Sequence, residues 1–347
     1  MDYPFIWFLL IGVLWTGYLV LEGFDFGVGA LLPVLGGSGA RVGRAVEESD
    51  QRRRVMLTSI GPHWDGNEVW LITAGGAMFA AFPEWYASMF SAFYLPLLLL
   101  LVALIVRNMG LDYRHKRDDD TWRRRWDAAI VGGSVAAPFL VGVALSNLVR
   151  GVPLDADHEY VGTLWTLLNV PSLLGGLVFV ALSVTHGAIF LTLKTDGPLR
   201  LDARRAATRS GAVTALLAVA LLGWLVTTQG GLAVTVLALV AAAAIVAGLA
   251  ANRAGREGLA FGGTALTWAA TAAAYFVALH PAVMPTTLAD GTSLTIANAA
   301  SSTMTLQIMT IAALCFVPIV LGYTAWTYWV FRRRLSTHHL GAPALVK

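Results

Sequence analysis

Long apolar runs dominate the chain, and the residues that interrupt them carry most of the information. Stretches long enough to cross a bilayer, which takes roughly 20 residues, lie near 5–24, 63–82, 86–106, 128–149, 164–193, 211–228, 231–250, 261–279 and 304–331. This pattern predicts an all-α polytopic membrane protein of about nine transmembrane helices. Two four-helix bundles plus one peripheral helix is the packing expected of that number. Residues 211–250 are almost wholly Ala, Leu, Val and Gly, so the helices there read as scaffold or lipid-facing elements. A single membrane domain is expected, with the polar site in residues 1–150 and mostly scaffold in 151–347. Gly75-Gly76, Gly132-Gly133 and Gly175-Gly176 are places where helices can approach closely.

The connections divide by charge. Of the 24 lysines and arginines, all but Arg150 fall in the alternate segments 36–54, 107–127, 194–209, 251–260 and 332–347. The opposite connections carry Glu84, Asp155, Asp157, Glu159 and Asp290. The positive-inside rule then puts the N-terminus outside and the C-terminus in the cytoplasm. Trp7, Trp85, Tyr86, Trp165 and Trp329 lie near span ends, as an interfacial aromatic belt requires. The formal charge of +3 therefore reflects topology and not nucleic-acid binding. With 57% hydrophobic and 13% charged residues, against about 25% charged in soluble domains, the composition excludes an ordinary soluble protein. The first apolar run has no short core followed by an A-x-A site, so it reads as a retained helix. Cys315 is the only cysteine, which rules out an intrachain disulfide, an iron–sulfur cluster held by four thiolates of this chain, and a C-x-x-C-H haem attachment.

Against this background two acidic clusters stand out: Glu22 and Asp25 in LEGFDFGVGALL, and Asp65 and Glu68 in GPHWDGNEVWLITAGG. A carboxylate at the middle of a membrane helix costs roughly 2.5–3.5 kcal/mol on insertion scales, so such groups need partners, water or protons. Glu22 and Asp25 share a helix face, with Gly23, Gly27 and Gly29 loosening the turn and Pro33 ending the helix. Counting from Pro4 at about 1.5 Å per residue puts both acids in the cytoplasmic half of the span or at its boundary. A snorkelling helix end is the alternative, although the sequence stays apolar for a further ten residues or so. Gly61-Pro62 interrupts the second span, where His63 and Asn67 fall at i,i+4 and Asp65 and Glu68 at i,i+3, at a similar depth. Facing broken helices of this kind can form a hydrated cavity that feeds protons inward. His63 can be a haem axial ligand or a hydrogen-bonded structural histidine. Arg107 and Asp112 can neutralise each other or gate the same cavity, and Arg107 reads equally well as a positive-inside anchor. His186 and His280 read as structural, and Trp64, Trp70, Trp85 and Phe79 as packing; no quinone headgroup site is assigned. A proton-coupled secondary transporter also uses broken helices and acids, but no inverted repeat is visible. A purely structural membrane subunit is the third reading.

At GFDFGVG, GPHWDGNEVWLITAGGAMFAAFPEWYASMFSAFYLPL, GLDYR, LHPAVMPTT and Met304-Thr305-Leu306-Gln307-Ile308-Met309-Thr310, the chain resembles subunit II of cytochrome bd quinol oxidase, essentially end to end. That resemblance implies a terminal oxidase of the bacterial plasma membrane that oxidises quinol, reduces dioxygen to water and generates a proton gradient without pumping. It implies a heterodimer with subunit I, which holds two b-type haems, one d-type haem, their axial ligands and the quinol-binding loop; small accessory subunits can join it. This chain is then expected to hold no cofactor by its own ligands and not to be catalytic alone. The resemblance also implies a cytoplasmic proton path, with Asp25, Asp65, Arg107 and Asp112 at the matching positions and His63 as a network member. Two departures stand beside it: Glu22 where relatives can carry Asp, and Glu68 where an amide can occur. The stretch between the sixth and eighth spans is shorter and less polar than in some relatives, which bears on any structural quinone.

Overall fold

The computed structural model describes residues 2–37 and 46–336. Arg41, Arg44 and Lys347, counted above with the basic connections, lie outside the described residues. The chain forms α1 (Tyr3–Ala30), α2 (Leu32–Leu35), α3 (Val46–Ile60), α4 (Trp64–Ala81), α5 (Pro83–Ala92), α6 (Tyr94–Tyr113), α7 (Asp120–Arg150) and α8 (Leu164–Leu167). There follow α9 (Val170–Lys194), α10 (Gly197–Gln229), α11 (Leu232–Arg253), α12 (Glu257–Leu279), the short strands β1 (Ala282–Met284) and β2 (Leu294–Thr295), and α13 (Thr303–Val330). By length and composition, eight of the described helices can cross a membrane: α1, α6, α7, α9, α10, α11, α12 and α13. The segment 63–82 is the helix α4, whose first two turns carry Asp65, Asn67 and Glu68 and which therefore falls outside that apolar set.

Prolines and capping side chains set the boundaries. The expected span at 86–106 is split at Phe93, because Pro96 has no N–H to continue the helix onto the Ala92 carbonyl. The segment expected as 164–193 begins its long helix only at Val170. There the Asn169 side chain accepts from the Ser172 amide at 3.1 Å and the Ser172 hydroxyl receives the Asn169 amide, a reciprocal cap. Gly61-Pro62 separates α3 from α4 as expected. Contrary to the sequence reading, the glycines of α1 do not loosen it: the helix runs unbroken to Ala30, and Pro33 sits in the first turn of the separate helix α2.

Helices α1, α4, α6 and α7 form one group and α9, α10, α11 and α12 a second, joined where α9 packs on α1 and α7 and where α12 packs on α1. α13 lies outside both, with Leu306 its only buried residue. Helix α1 is sunk between the groups because its glycines remove side chains at the contacts: a Cβ on Gly27 would lie 1.9 Å from the Ser183 carbonyl oxygen, and one on Gly29 2.0 Å from the Ser134 hydroxyl. Of the glycine pairs, Gly175 and Gly176 let α9 meet α7 at Gly142, whereas Gly75 and Gly76 have nothing within 4 Å of where a Cβ would sit.

The connections gather at two ends. At one, Val152 and Asp155 hydrogen-bond with Pro285, Thr287 and Thr292, and Ser301 donates to the Ala81 carbonyl. At the other, ion pairs join α3, α6, α7, α10 and α12: Arg53 to Asp127 at 2.8 Å, Arg114 to Asp50 at 2.7 Å, Arg52 to Asp202 at 2.9 Å, and Arg200 and Arg204 to the buried Glu257 at 2.6 Å. Arg334 closes the Glu257 cluster from the segment after α13. Because α4 starts beside Tyr328 and ends under Ser301, it runs the height of the bundle. Replacing Gly27 with Val should cost at least about 1–3 kcal/mol through overpacking, seen as a lower thermal transition of the solubilised protein; Gly223→Ala, where the Cβ position is open, should not lower it.

Candidate functional site

The acids of α1 come to rest in the interior, not at a frayed helix end. Glu22 and Asp25 are both 0% exposed, which removes the snorkelling alternative. Arg107 reaches Glu22 from α6, its Nη1 2.7 Å from Glu22 Oε1, with both side chains fully buried. Gly133 on α7 makes the room, since a Cβ there would lie 2.6 Å from Arg107 Cβ. The same Nη1 is 3.4 Å from Glu68 Oε1, Nε donates to the Ser134 hydroxyl at 3.3 Å, and the guanidinium lies 4.8 Å over the Phe26 ring. Asn108 donates to the other Glu68 oxygen at 2.5 Å. A guanidinium presents several donors in a fixed plane, which is why one arginine can serve two carboxylates and a hydroxyl.

Asp25 is held from the other side. The Asn67 amide donates to Asp25 Oδ2 at 2.7 Å and to the Leu21 carbonyl at 3.2 Å, while the Tyr328 hydroxyl donates to Asn67 Oδ1 at 2.9 Å. With its oxygen taken by Tyr328, the Asn67 amide can only turn its NH2 toward Asp25. His63 is buried and lies parallel to the Tyr328 ring at 4.2 Å. The result is a continuous polar seam from α13 through α4 and α1 to α6.

The seven residues singled out in the sequence separate into three sets. Glu22, Asp25, Glu68 and Arg107 come together, and His63 joins through Tyr328. Asp65 is exposed on the first turn of α4, one turn before Glu68. Asp112 does not meet Arg107 as the sequence suggested: it is exposed near the end of α6, five residues on, while Arg107 turns inward to Glu22, Glu68 and Ser134. Asn108, Ser134 and Tyr328 belong to the site and were missed, because nothing in a single sequence distinguishes them from other helix polar residues. Asn67 had a signal in its spacing from His63.

The sequence matches the family described as cytochrome bd terminal oxidase subunit II over residues 3–331. The chain belongs to that family. Cytochrome bd ubiquinol oxidase subunit 2 of Bacillus subtilis (strain 168) is 39% identical over 337 residues, covering 95% of this chain and 96% of the relative. Cytochrome bd-I ubiquinol oxidase subunit 2 of Escherichia coli (strain K12) is 38% identical, covering 96% and 95%. The solved structure of bd oxidase from Geobacillus thermodenitrificans superposes with a TM-score of 0.75 at 18% identity, over 95% of this chain and 99% of that one. As a subunit II of cytochrome bd oxidase, the chain is a multi-pass bacterial membrane protein, part of a quinol:oxygen oxidoreductase complex that contains haem and a subunit I. Membership sets the transporter reading aside.

Removing one partner of a buried ion pair leaves the other charge stranded, at a cost of about 3–5 kcal/mol. Arg107→Leu in this subunit II should therefore greatly reduce recovery of the assembled oxidase on native gels, and adding Glu22→Gln to it should restore part of that recovery.

Proposed function

We propose that this subunit stabilises the haem-bearing subunit I and carries protons to it from the cytoplasm, within an enzyme that oxidises quinol and reduces dioxygen to water without pumping. The observation that carries this reading is the buried seam itself. Glu22 and Glu68 both contact the Arg107 guanidinium, and Asp25 lies about one helical turn from Glu22, held by Asn67. Protons are the natural complement of that surplus of acid inside a membrane. Entry runs from exposed Asp65 to partly exposed Glu68 and on to the Arg107–Glu22 pair, with Asp112 adding negative charge at the mouth of the same end of the bundle. In the orientation we propose, the end rich in arginine ion pairs is cytoplasmic, the N-terminus is outside and α4 is the ninth crossing.

We assign the two b-type haems, the d-type haem, their axial ligands and the quinol site to subunit I. Two described histidines bear on that assignment, and His63, whose ring nitrogens have no hydrogen-bond partner among the described residues, is the one to test. His186 has both ring nitrogens engaged, with Thr264 Oγ1 at 2.7 Å and the Val20 carbonyl at 3.1 Å, and His63 is packed face to face on Tyr328. For subunit I we propose the open face of α4, where Asp65, Val69, Ile72, Thr73, Gly76 and Phe79 form one exposed stripe. A carboxylate and bare glycines on a membrane helix suit another protein better than lipid. Small accessory subunits remain compatible with the rest of the exposed helix surface.

Asp25→Asn should slow oxygen reduction by roughly 10-fold or more, the scale of a lost proton-transfer group, in enzyme that keeps its haem content and both large subunits. Glu22→Gln, which costs recovery but leaves Arg107 its contact with Glu68, should slow turnover per haem by as much in the fraction that assembles. Unchanged turnover in intact enzyme would remove the proton role. His63→Ala should retain the absorbance bands of all three haems; selective loss of one would overturn the assignment of ligands to subunit I.

A further inference from the structure

One turn further into the bundle from Glu22, three buried polar groups lack hydrogen-bond partners among the described residues: the hydroxyl of Tyr18, the hydroxyl of Ser183 and the indole N–H of Trp268. Their residues are 0%, 1% and 1% exposed and come from three helices, α1, α9 and α12. All three residues line the same small cavity of about 10 Å³. The rest of its wall is hydrocarbon and glycine. Gly23 forms part of that wall, and a Cβ there would stand 2.9 Å from Trp268 Nε1, so the absence of a side chain is what lets the indole N–H reach this point. Pro138, also in the wall, leaves the Ser134 carbonyl without its helical donor; the Ser134 hydroxyl is the one that holds Arg107.

Orphaned donors and acceptors that share one small void are the condition under which proteins bury water, which needs a volume of about one probe sphere and two to four polar partners. Both conditions hold here. We propose that this cavity binds a single ordered water, and that the water and Tyr18 extend the proton network inward from Glu22. The water accepts from Trp268 Nε1–H and donates to Ser183 Oγ and to the Tyr18 oxygen. Side chains on a helix lean toward its N-terminus, so Glu22 leans toward Tyr18 four residues earlier. Apart from the Arg107 ion pair, the Tyr18 hydroxyl and the Glu22 oxygens are all without a hydrogen-bond partner among the described residues, which leaves the hydroxyl proton free to turn to that carboxylate in the proposed network. A proton moving onto Glu22 thereby has a second station, away from Arg107 and beyond reach of the entrance at Glu68. This second part rests on the proton path proposed above; the water site stands on the cavity alone.

The test uses the purified oxidase with both large subunits. A cryo-electron microscopy map that resolves ordered water should contain one peak within hydrogen-bonding distance of Tyr18 Oη, Ser183 Oγ and Trp268 Nε1, and Ser183→Val should abolish it. Tyr18→Phe should slow oxygen reduction on the order of 10-fold, less than a direct acid or base because the water can partly bridge the gap, and should displace the pH profile of turnover while the haem spectrum stays as in the parent. Ser183→Ala gives the same comparison if the Tyr18 variant does not assemble. No density in the cavity, or a parental pH profile in these variants while Glu22→Gln is slow, overturns the proposal. A Glu22→Gln enzyme at full speed instead refutes the proton path, leaving the density to decide the water site.

Discussion

A fully buried ion pair between Glu22 on α1 and Arg107 on α6 is the constraint around which the polar half of this bundle is organised. Neither charge can be left in hydrocarbon by itself, and the attraction between them offsets their desolvation only when further hydrogen bonds complete the geometry. The neighbours complete the arginine side, whereas the Glu22 oxygens and Arg107 Nη2 have no hydrogen-bond partner beyond the pair itself among the described residues. Ser134 and Phe26 hold the guanidinium, Glu68 shares it, and Asn108 holds Glu68. Each of these comes from a helix that also contributes apolar packing, so the polar geometry and the helix arrangement fix each other.

The same economy explains the glycines of α1. A helix bearing two buried acids must lie at the centre of the protein, where α7 and α9 close over it, and Gly27 and Gly29 are where their backbone and side chains press against α1. Glycine in a helix interior sacrifices some intrinsic stability, and here close packing repays it. α13 contributes almost nothing to the core, yet its Tyr328 orients Asn67 against Asp25. A helix that is peripheral by burial is thus tied to the centre by a few polar contacts, the Tyr328 hydroxyl on Asn67 at one end and the Trp7 indole on Leu306 and Thr310 at the other.

The proposed proton role rests on asymmetry across the seam. Glu68 retains partial exposure and Asp65 is open, whereas Glu22 and Asp25 are sealed, so acid groups lead from a surface into the interior. The arginine-rich ion pairs at one end and the hydrogen-bonded strands and loops at the other give the bundle two chemically different faces. Such polarity fits the one-sided proton entry proposed above.

The sequence by itself determined the class of the protein: long apolar runs admit only a helical membrane fold when backbone groups must be satisfied internally, and the motifs around Asp25 and His63-Trp64-Asp65 identify the family. It also marked Glu22, Asp25, Glu68 and Arg107, because charge within apolar sequence is visible without coordinates. Which of them meet depends on how the helices pack. Arg107 and Asp112 are near in sequence and point apart; Arg107 and Glu22 are 85 positions apart and touch. Asn108, Ser134 and Tyr328 acquire meaning only from the partners that helix packing brings to them, since a neutral side chain in a helix carries no cost that would single it out until its surroundings are known. The spans at 86–106 and 164–193 were likewise legible as apolar, while their true helix limits depended on Pro96 and the Asn169 cap, local stereochemistry that hydropathy does not register.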